Sequence, residues 1–114
     1  MESHDAYEGL FVLDGELSDD ALTKAQQQIG EQVTKLGGTV ERQEAWGKRR
    51  LAYRVRKRRD GHYWLLVFRA PAAAVAPFES WCALQESLLR RLVVKLPKGK
   101  PQPVEATISH GQSQ

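Results

Sequence analysis

The stretch WGKRRLAYRVRKRRDGHYWLLVF, Trp46 to Phe68, holds two apolar-alternating segments on either side of Asp60-Gly61. An Asp-Gly pair accepts the positive φ that a tight hairpin turn requires. The stretch therefore predicts a β-hairpin whose second strand is His62 to Arg69. Before the turn, Leu51, Tyr53 and Val55 fall on odd positions, whereas Val40 and Trp46 fall on even ones. One regular strand would send these two sets to opposite faces. Gly47 lies at the switch, and a bulge there would return both sets to one face of a long, bent strand from about Thr39 to Lys57. The strand YWLLVF is apolar at both parities, with Trp64, Leu66 and Phe68 on one side and Tyr63, Leu65 and Val67 on the other. A sheet covered on one side needs only one apolar parity. Either a partner covers the second face, or it is an exposed patch that favours association.

Upstream, YEGLFVL, Tyr7 to Leu13, reads as a first strand ended by Asp14-Gly15. Ser18 is placed to cap a helix, Asp19 and Asp20 suit its positive end, and Leu22, Ala25, Ile29, Val33 and Leu36 recur at three- and four-residue steps. Gly37-Gly38 ends it. Downstream, Pro71 opens a second helix to roughly Leu84, with Val75, Phe78, Trp81, Cys82 and Leu84 on its buried side. Pro77 lacks an N–H inside that span, which predicts a kink or a later start. LLRRLVVKL, Leu88 to Leu96, is a final strand.

The order strand, helix, strand, strand, helix, strand is the split βαβ, or ferredoxin-like, arrangement of the α+β class (βαββαβ): a four-stranded antiparallel sheet with two helices on one face. The expected organisation is an N-terminal extension over 1–6, one domain over 7–96 and a disordered polar tail over 97–114, where three prolines and two glycines fall among few large apolar groups. Cys82 is the sole cysteine, the N-terminal segment is acidic rather than basic and apolar, and no apolar run approaches the ~20 residues of a membrane span. A soluble, cytoplasmic protein with no membrane association is expected.

Charge is the main guide to function. KRRLAYRVRKRR, Lys48 to Arg59, carries eight cations in twelve residues and no acid; outside it, nine cations stand against 14 acids. Met1 to Asp20 carries seven acids and no Lys or Arg. A local basic stripe is what a polyanion would meet, and arginine's planar fork suits phosphate better than a lysine point charge. Lys48, Arg49, Arg50, Arg54 and Arg56, with Arg90, Arg91 and Lys95 from the last strand, are the candidate phosphate contacts. Arg50, Arg54, Arg56 and Arg58 would project opposite to Leu51, Tyr53 and Val55. The competing reading is a charged edge that blocks strand-to-strand aggregation, leaving a stand-alone protein-interaction module. Tyr53, Tyr63, Trp64 and Leu66 are candidates for a partner-protein face. His4, His62 and His110 lack a second ligand at metal-binding spacing, Cys82 sits on an apolar helical face, and DGELSDD after the first strand would repel a phosphate. No nucleophile-base pair can be named, so neither an enzyme, a metal, a cofactor nor a small-molecule substrate is expected.

WGKRRLAYRV followed by DGHYWLLVF resembles the bacterial small-subunit ribosomal protein S6 family. That family opens with a Tyr-Glu strand, as Tyr7-Glu8 does. Its long bent strand carries Trp-Gly-x-Arg-x-Leu-Ala-Tyr, matched by Trp46, Gly47, Arg49, Leu51, Ala52 and Tyr53. Gly61 and Tyr63 match its Gly-x-Tyr, and Leu88, Leu89, Arg90, Leu92, Val93 and Val94 match its closing strand. The resemblance implies a non-catalytic ribosomal protein of ferredoxin-like fold. It would bind the central domain of small-subunit rRNA as a heterodimer with ribosomal protein S18 during assembly. Arg49 and Arg90 are the cations at motif positions. Three features depart from the pattern: the longer acidic start, Arg54 where the family often has proline, and Gln85 in place of a frequent Asp.

Overall fold

Ser18 begins the first helix as its sequence suggests: its side chain accepts a hydrogen bond from the Ala21 N–H, and α1 runs Asp19–Lys35. The structure, a computed structural model, describes residues 4–97. At the far end of α1, Gly37 takes φ +91°, and the Gly38 and Gly37 amides bond back to the Val33 and Thr34 carbonyls. This glycine-capped end satisfies carbonyls that the last turn leaves open. Ala25, Ile29 and Val33 are its buried residues.

Four strands make one antiparallel sheet in the order β2-β3-β1-β4, with β1 His4–Asp14, β2 Thr39–Val55, β3 Arg58–Pro71 and β4 Leu88–Lys95. A second helix, α2, covers Val75–Ala83 after a short 3-10 turn at Ala72–Ala74. This is the ferredoxin-like split βαβ arrangement. Strand β1 starts earlier than the apolar pattern indicates, so residues 4–6 belong to the sheet and not to an extension. Residues 1–3 and, of the tail expected over 97–114, residues 98–114 lie outside the described residues. Pro77 is the third residue of α2, in the first turn, where an N–H has no partner within the helix anyway. The later start accounts for it. Phe78 and Cys82 are buried, but Leu84, expected on that face, is 79% exposed because α2 ends at Ala83.

The main core lies between the helices and one sheet face, where Tyr7, Phe11, Trp64, Leu66 and Phe68 meet Ile29, Val33, Phe78 and Cys82. Phe78 packs edge-on against both Phe11 and Phe68. The opposite face carries no helix, yet Leu65 and Val67 are buried on it by Leu10, Trp46 and Leu96 of the same chain. The surplus apolar parity of β3 is thus covered largely from within, which neither expectation for that face anticipated.

The hairpin turn differs from its sequence reading. It lies at Arg56 and Lys57, both at positive φ (52° and 67°), while Asp60 and Gly61 are paired inside β3, opposite Arg50 and Arg49. Gly61 is needed there for space rather than for φ: a Cβ would come within 2.4 Å of Val12 Cγ1 and 3.3 Å of Leu51 Cδ2. The bulge at Gly47 is present, with φ +92° and a register shift between Ala45 and Gly47. It brings Trp46 and Leu51 to the helix-free face, where both pack. A further shift between Val40 and Arg42 leaves Val40 on the helix side, so Val40 does not share a face with Trp46.

Gly61→Ala is expected to destabilise by about 1–3 kcal/mol through overpacking, and Val12→Ala in the same chain should recover part of that loss. Strictly additive effects in a denaturant double-mutant cycle would contradict the close approach. Replacing Arg56-Lys57 with Asn-Gly should stabilise by about 1 kcal/mol or more, since each side-chain-bearing residue in the left-handed region costs on the order of 1–2 kcal/mol. An unchanged denaturation midpoint would place the turn elsewhere.

Candidate nucleic-acid interface

The basic run is the distal half of the β2-β3 hairpin. Between the Arg50–Asp60 and Val55–Arg58 pairs, Leu51 to Arg54 of β2 oppose Arg59 alone, a wide bulge that bends β2 sharply. The bend carries the hairpin across the end of the sheet. Leu51 packs on Val12 and Leu89, with Val55 and Tyr63 against them. Arg56 Nη1 reaches the Glu86 carbonyl at 3.2 Å. Sheet edges that lie at opposite ends of the strand order are therefore in contact: Tyr53 of β2 accepts a hydrogen bond from Arg90 of β4, whose guanidinium carbon lies 5.2 Å from the Tyr53 ring centre.

The cations sort by what holds them. Arg49 stands 5.8 Å from the ring centres of both Trp46 and Tyr63. Arg49, Arg90, Lys48, Arg54 and Arg59 are exposed and, among the described residues, have no carboxylate at ion-pair distance. Arg50, Arg54 and Arg59 surround a hollow of about 340 Å³ with Leu51, Ala52 and Tyr53, made by the wide bulge. Arg59 is absent from the candidates read off the sequence. Only the true turn position shows that it faces the bulged strand.

Other candidates are partnered. Arg50 meets Asp60 at 3.4 Å, Arg91 meets Glu79 of α2 at 3.3 Å and Lys95 meets Asp5 at 3.5 Å. Arg91 and Lys95 thus lie toward the helix side of β4, opposite Arg90. Arg58 turns inward to Asp14 and Glu16, both at 2.9 Å, because the turn and bulge break the alternation that would have lined it up with Arg54.

The partner-face candidates divide in the same way. Trp64 and Leu66 are 2% and 1% exposed inside the helix-covered core, so they cannot meet a partner from outside. Tyr63 lies on the helix-free face and Tyr53 is 61% exposed there. The apolar surface left open on this face belongs to β4, with Leu92 61% and Val94 41% exposed, and those two were not singled out. Their parity relative to Arg91 and Val93 is the signal that would have found them.

Burial pushes the Cys82 thiol up to about 12, outweighing the Arg91 charge, so it stays protonated at neutral pH. The described residues contain no group of three or more His, Cys, Asp or Glu able to hold a metal ion, and no helix long and apolar enough to cross a membrane.

Beside this geometry stands direct similarity. The profile of the family described as Ribosomal protein S6 matches residues 6–95. The chain belongs to the ribosomal protein S6 family. Small ribosomal subunit protein bS6 of Paramagnetospirillum magneticum is 37% identical over 90 residues, covering 79% of this chain and 62% of that one, so this chain spans less than two thirds of that relative. The bS6 protein of Moorella thermoacetica is 34% identical over 90 residues, covering 79% of this chain and 92% of its own length. The fold is also that of 30S ribosomal protein S6 from Thermotoga maritima, whose crystal structure matches with a TM-score of 0.76 at 14% identity, over 97% of this chain and 98% of that one. S6-family proteins are constituents of the small ribosomal subunit and not enzymes.

Glu8, on the helix-free face of this S6-family domain, is a pH-sensitive group. Burial raises the pKa of Glu8 above its usual value, against the opposing Arg42 charge and with Glu44 adding to the rise, and Glu8 Oε2 is buried without a hydrogen bond. A carboxyl whose folded pKa is raised favours the fold when protonated, and that contribution is lost as pH climbs through the folded pKa. Glu8→Gln should therefore gain stability relative to the parent as pH climbs above the raised pKa of Glu8 and lose that advantage in acid, where the carboxyl is protonated in both the folded and the unfolded state. A gain that persists unchanged in acid would contradict the sign of the shift.

Proposed function

We propose that this S6-family chain binds the central domain of small-subunit rRNA, as a heterodimer with ribosomal protein S18, during assembly of the small subunit in the cytoplasm. The observation that carries the RNA part is the sorting of charge. Among the described residues, Arg49, Arg54, Arg59 and Arg90 remain without carboxylates on the curled hairpin and the adjoining strand, while Arg50, Arg58, Arg91 and Lys95 are balanced by acids of the same domain. A polyanion meets uncompensated cations more strongly than paired ones.

Phosphate and backbone shape, rather than stacked bases, fit this surface. Trp64 is buried, and arginine already lies over the rings of Trp46, Tyr63 and Tyr53. Base stacking on an aromatic side chain needs an uncovered ring. Arginines anchored on rings keep their forks pre-organised for phosphate, which lowers the entropy lost per hydrogen bond. For the partner, exposed Leu92, Val94 and Tyr53 give an apolar strip beside Arg90 on the same helix-free face. Its position next to the cations suits a protein that sits on the RNA together with this one.

The test is binding to a central-domain rRNA fragment, with and without S18, across a salt series. Arg49→Ala and Arg90→Ala should each weaken binding by about 1 kcal/mol or more and lower the salt slope by about one, while Arg91→Ala and Lys95→Ala change it little. Equal losses for all four would put the RNA on the wrong side of β4. No binding with or without S18 would favour a protein-interaction module whose cations only guard a strand edge.

A further inference from the structure

We propose that the hollow between Arg50, Arg54 and Arg59 is a binding site for two adjacent phosphate groups, separate from the cations at Arg49 and Arg90. The wide bulge builds it. Leu51 to Arg54 of β2 oppose Arg59 alone, and the hollow of about 340 Å³ lies among them, with Leu51, Ala52 and Tyr53 completing its lining. That volume is near the lower end of the ~300–1,000 Å³ of small-molecule sites. Leu51 is buried against Val12 and Leu89, so the backbone between Arg50 and Arg54 is anchored. A fixed backbone under the arginines reduces what must be ordered when an anion binds.

Charge selects the ligand. Arg54 and Arg59 are exposed and, among the described residues, pair with no carboxylate. Arg50 has Asp60 at 3.4 Å, an exposed ion pair of the kind that contributes little. Three guanidiniums against one carboxylate leave two positive charges around one hollow, which an anion relieves. One phosphodiester cancels half of that excess; two adjacent phosphates match it. Each guanidinium can engage phosphate oxygens through two parallel N–H groups. Asp60 is then the internal competitor, occupying Arg50 until phosphate displaces it. Arg54 stands where the S6 pattern often has proline, so the trio is not part of that pattern. Adjacent phosphates come from a stretch of RNA backbone or from a free diphosphate, and the chemistry of the site is common to both.

Inorganic pyrophosphate, titrated into the full chain at physiological salt while the arginine Nε–H resonances are followed, is the test. Arg50, Arg54 and Arg59 should shift together, and Arg49 and Arg90 little. Arg54→Lys and Arg59→Lys should each weaken binding about tenfold, because lysine keeps the charge and loses the planar fork. Asp60→Asn should tighten it severalfold, and Arg49→Lys should leave it unchanged. Affinity that survives both lysine substitutions, or shifts spread evenly over all exposed arginines, overturns the site in favour of a diffuse positive field. A central-domain rRNA fragment then separates the sources. Displacement of pyrophosphate by the RNA assigns the site to RNA backbone, and pyrophosphate retained beside bound RNA assigns it to a free diphosphate. The pyrophosphate titration is read without RNA, so failure of the rRNA reading and failure of this site are distinguishable.

Discussion

The contact of Leu51 with Val12 and Leu89 is the constraint on which the functional surface rests. Burying a leucine side chain contributes about 1.5–3 kcal/mol, and this one fastens the far end of a hairpin that would otherwise project as an isolated two-stranded ribbon. Such ribbons are marginal in water. Gly61 makes the contact possible by leaving room for Val12 and Leu51, and the wide bulge at Leu51 to Arg54 supplies the bend. Arg90 and Tyr53 meet only because of that closure.

Closure also explains how twelve residues with eight cations fit on a small domain. A regular strand would line its cations along one row, where they repel one another. Turn, bulge and curl instead divide them. Some turn toward Asp14, Glu16 and Asp60; others stack on aromatic rings or rim the hollow at Arg50, Arg54 and Arg59. The exposed pairs add little stability, since surface ion pairs contribute about 0–1 kcal/mol. Their larger effect is to determine which cations stay uncompensated.

The helix-free face follows from the same economy of cover. Trp46, carried there by the Gly47 bulge, shields Leu65 together with Leu10 and Leu96, and its indole N–H donates to Glu44 at 3.0 Å. Glu44 in turn accepts from Arg42 at 2.5 Å, and these two hydrogen bonds hold its carboxyl below the usual range. With the centre covered, exposed apolar surface on this face shifts outward to β4 and Tyr53.

The sequence by itself determined the order of elements, the capped helix, the Gly47 bulge and the concentration of charge, because each rests on local preference or on a period repeated over many residues. The S6 resemblance was legible for the same reason. Tertiary structure decided where the hairpin turns. Asp60-Gly61 has ideal turn chemistry, but pairing with β1 and the fit of Gly61 against Val12 outweigh the strain of Arg56 and Lys57 in the left-handed region. It also decided which face each parity occupies, sending Trp64 and Leu66 inward, and which cations find acids, placing Arg91 beside Glu79 and leaving Arg90 on Tyr53. These outcomes depend on register shifts and on residues distant in the chain, and a single shift of one residue reverses every face beyond it.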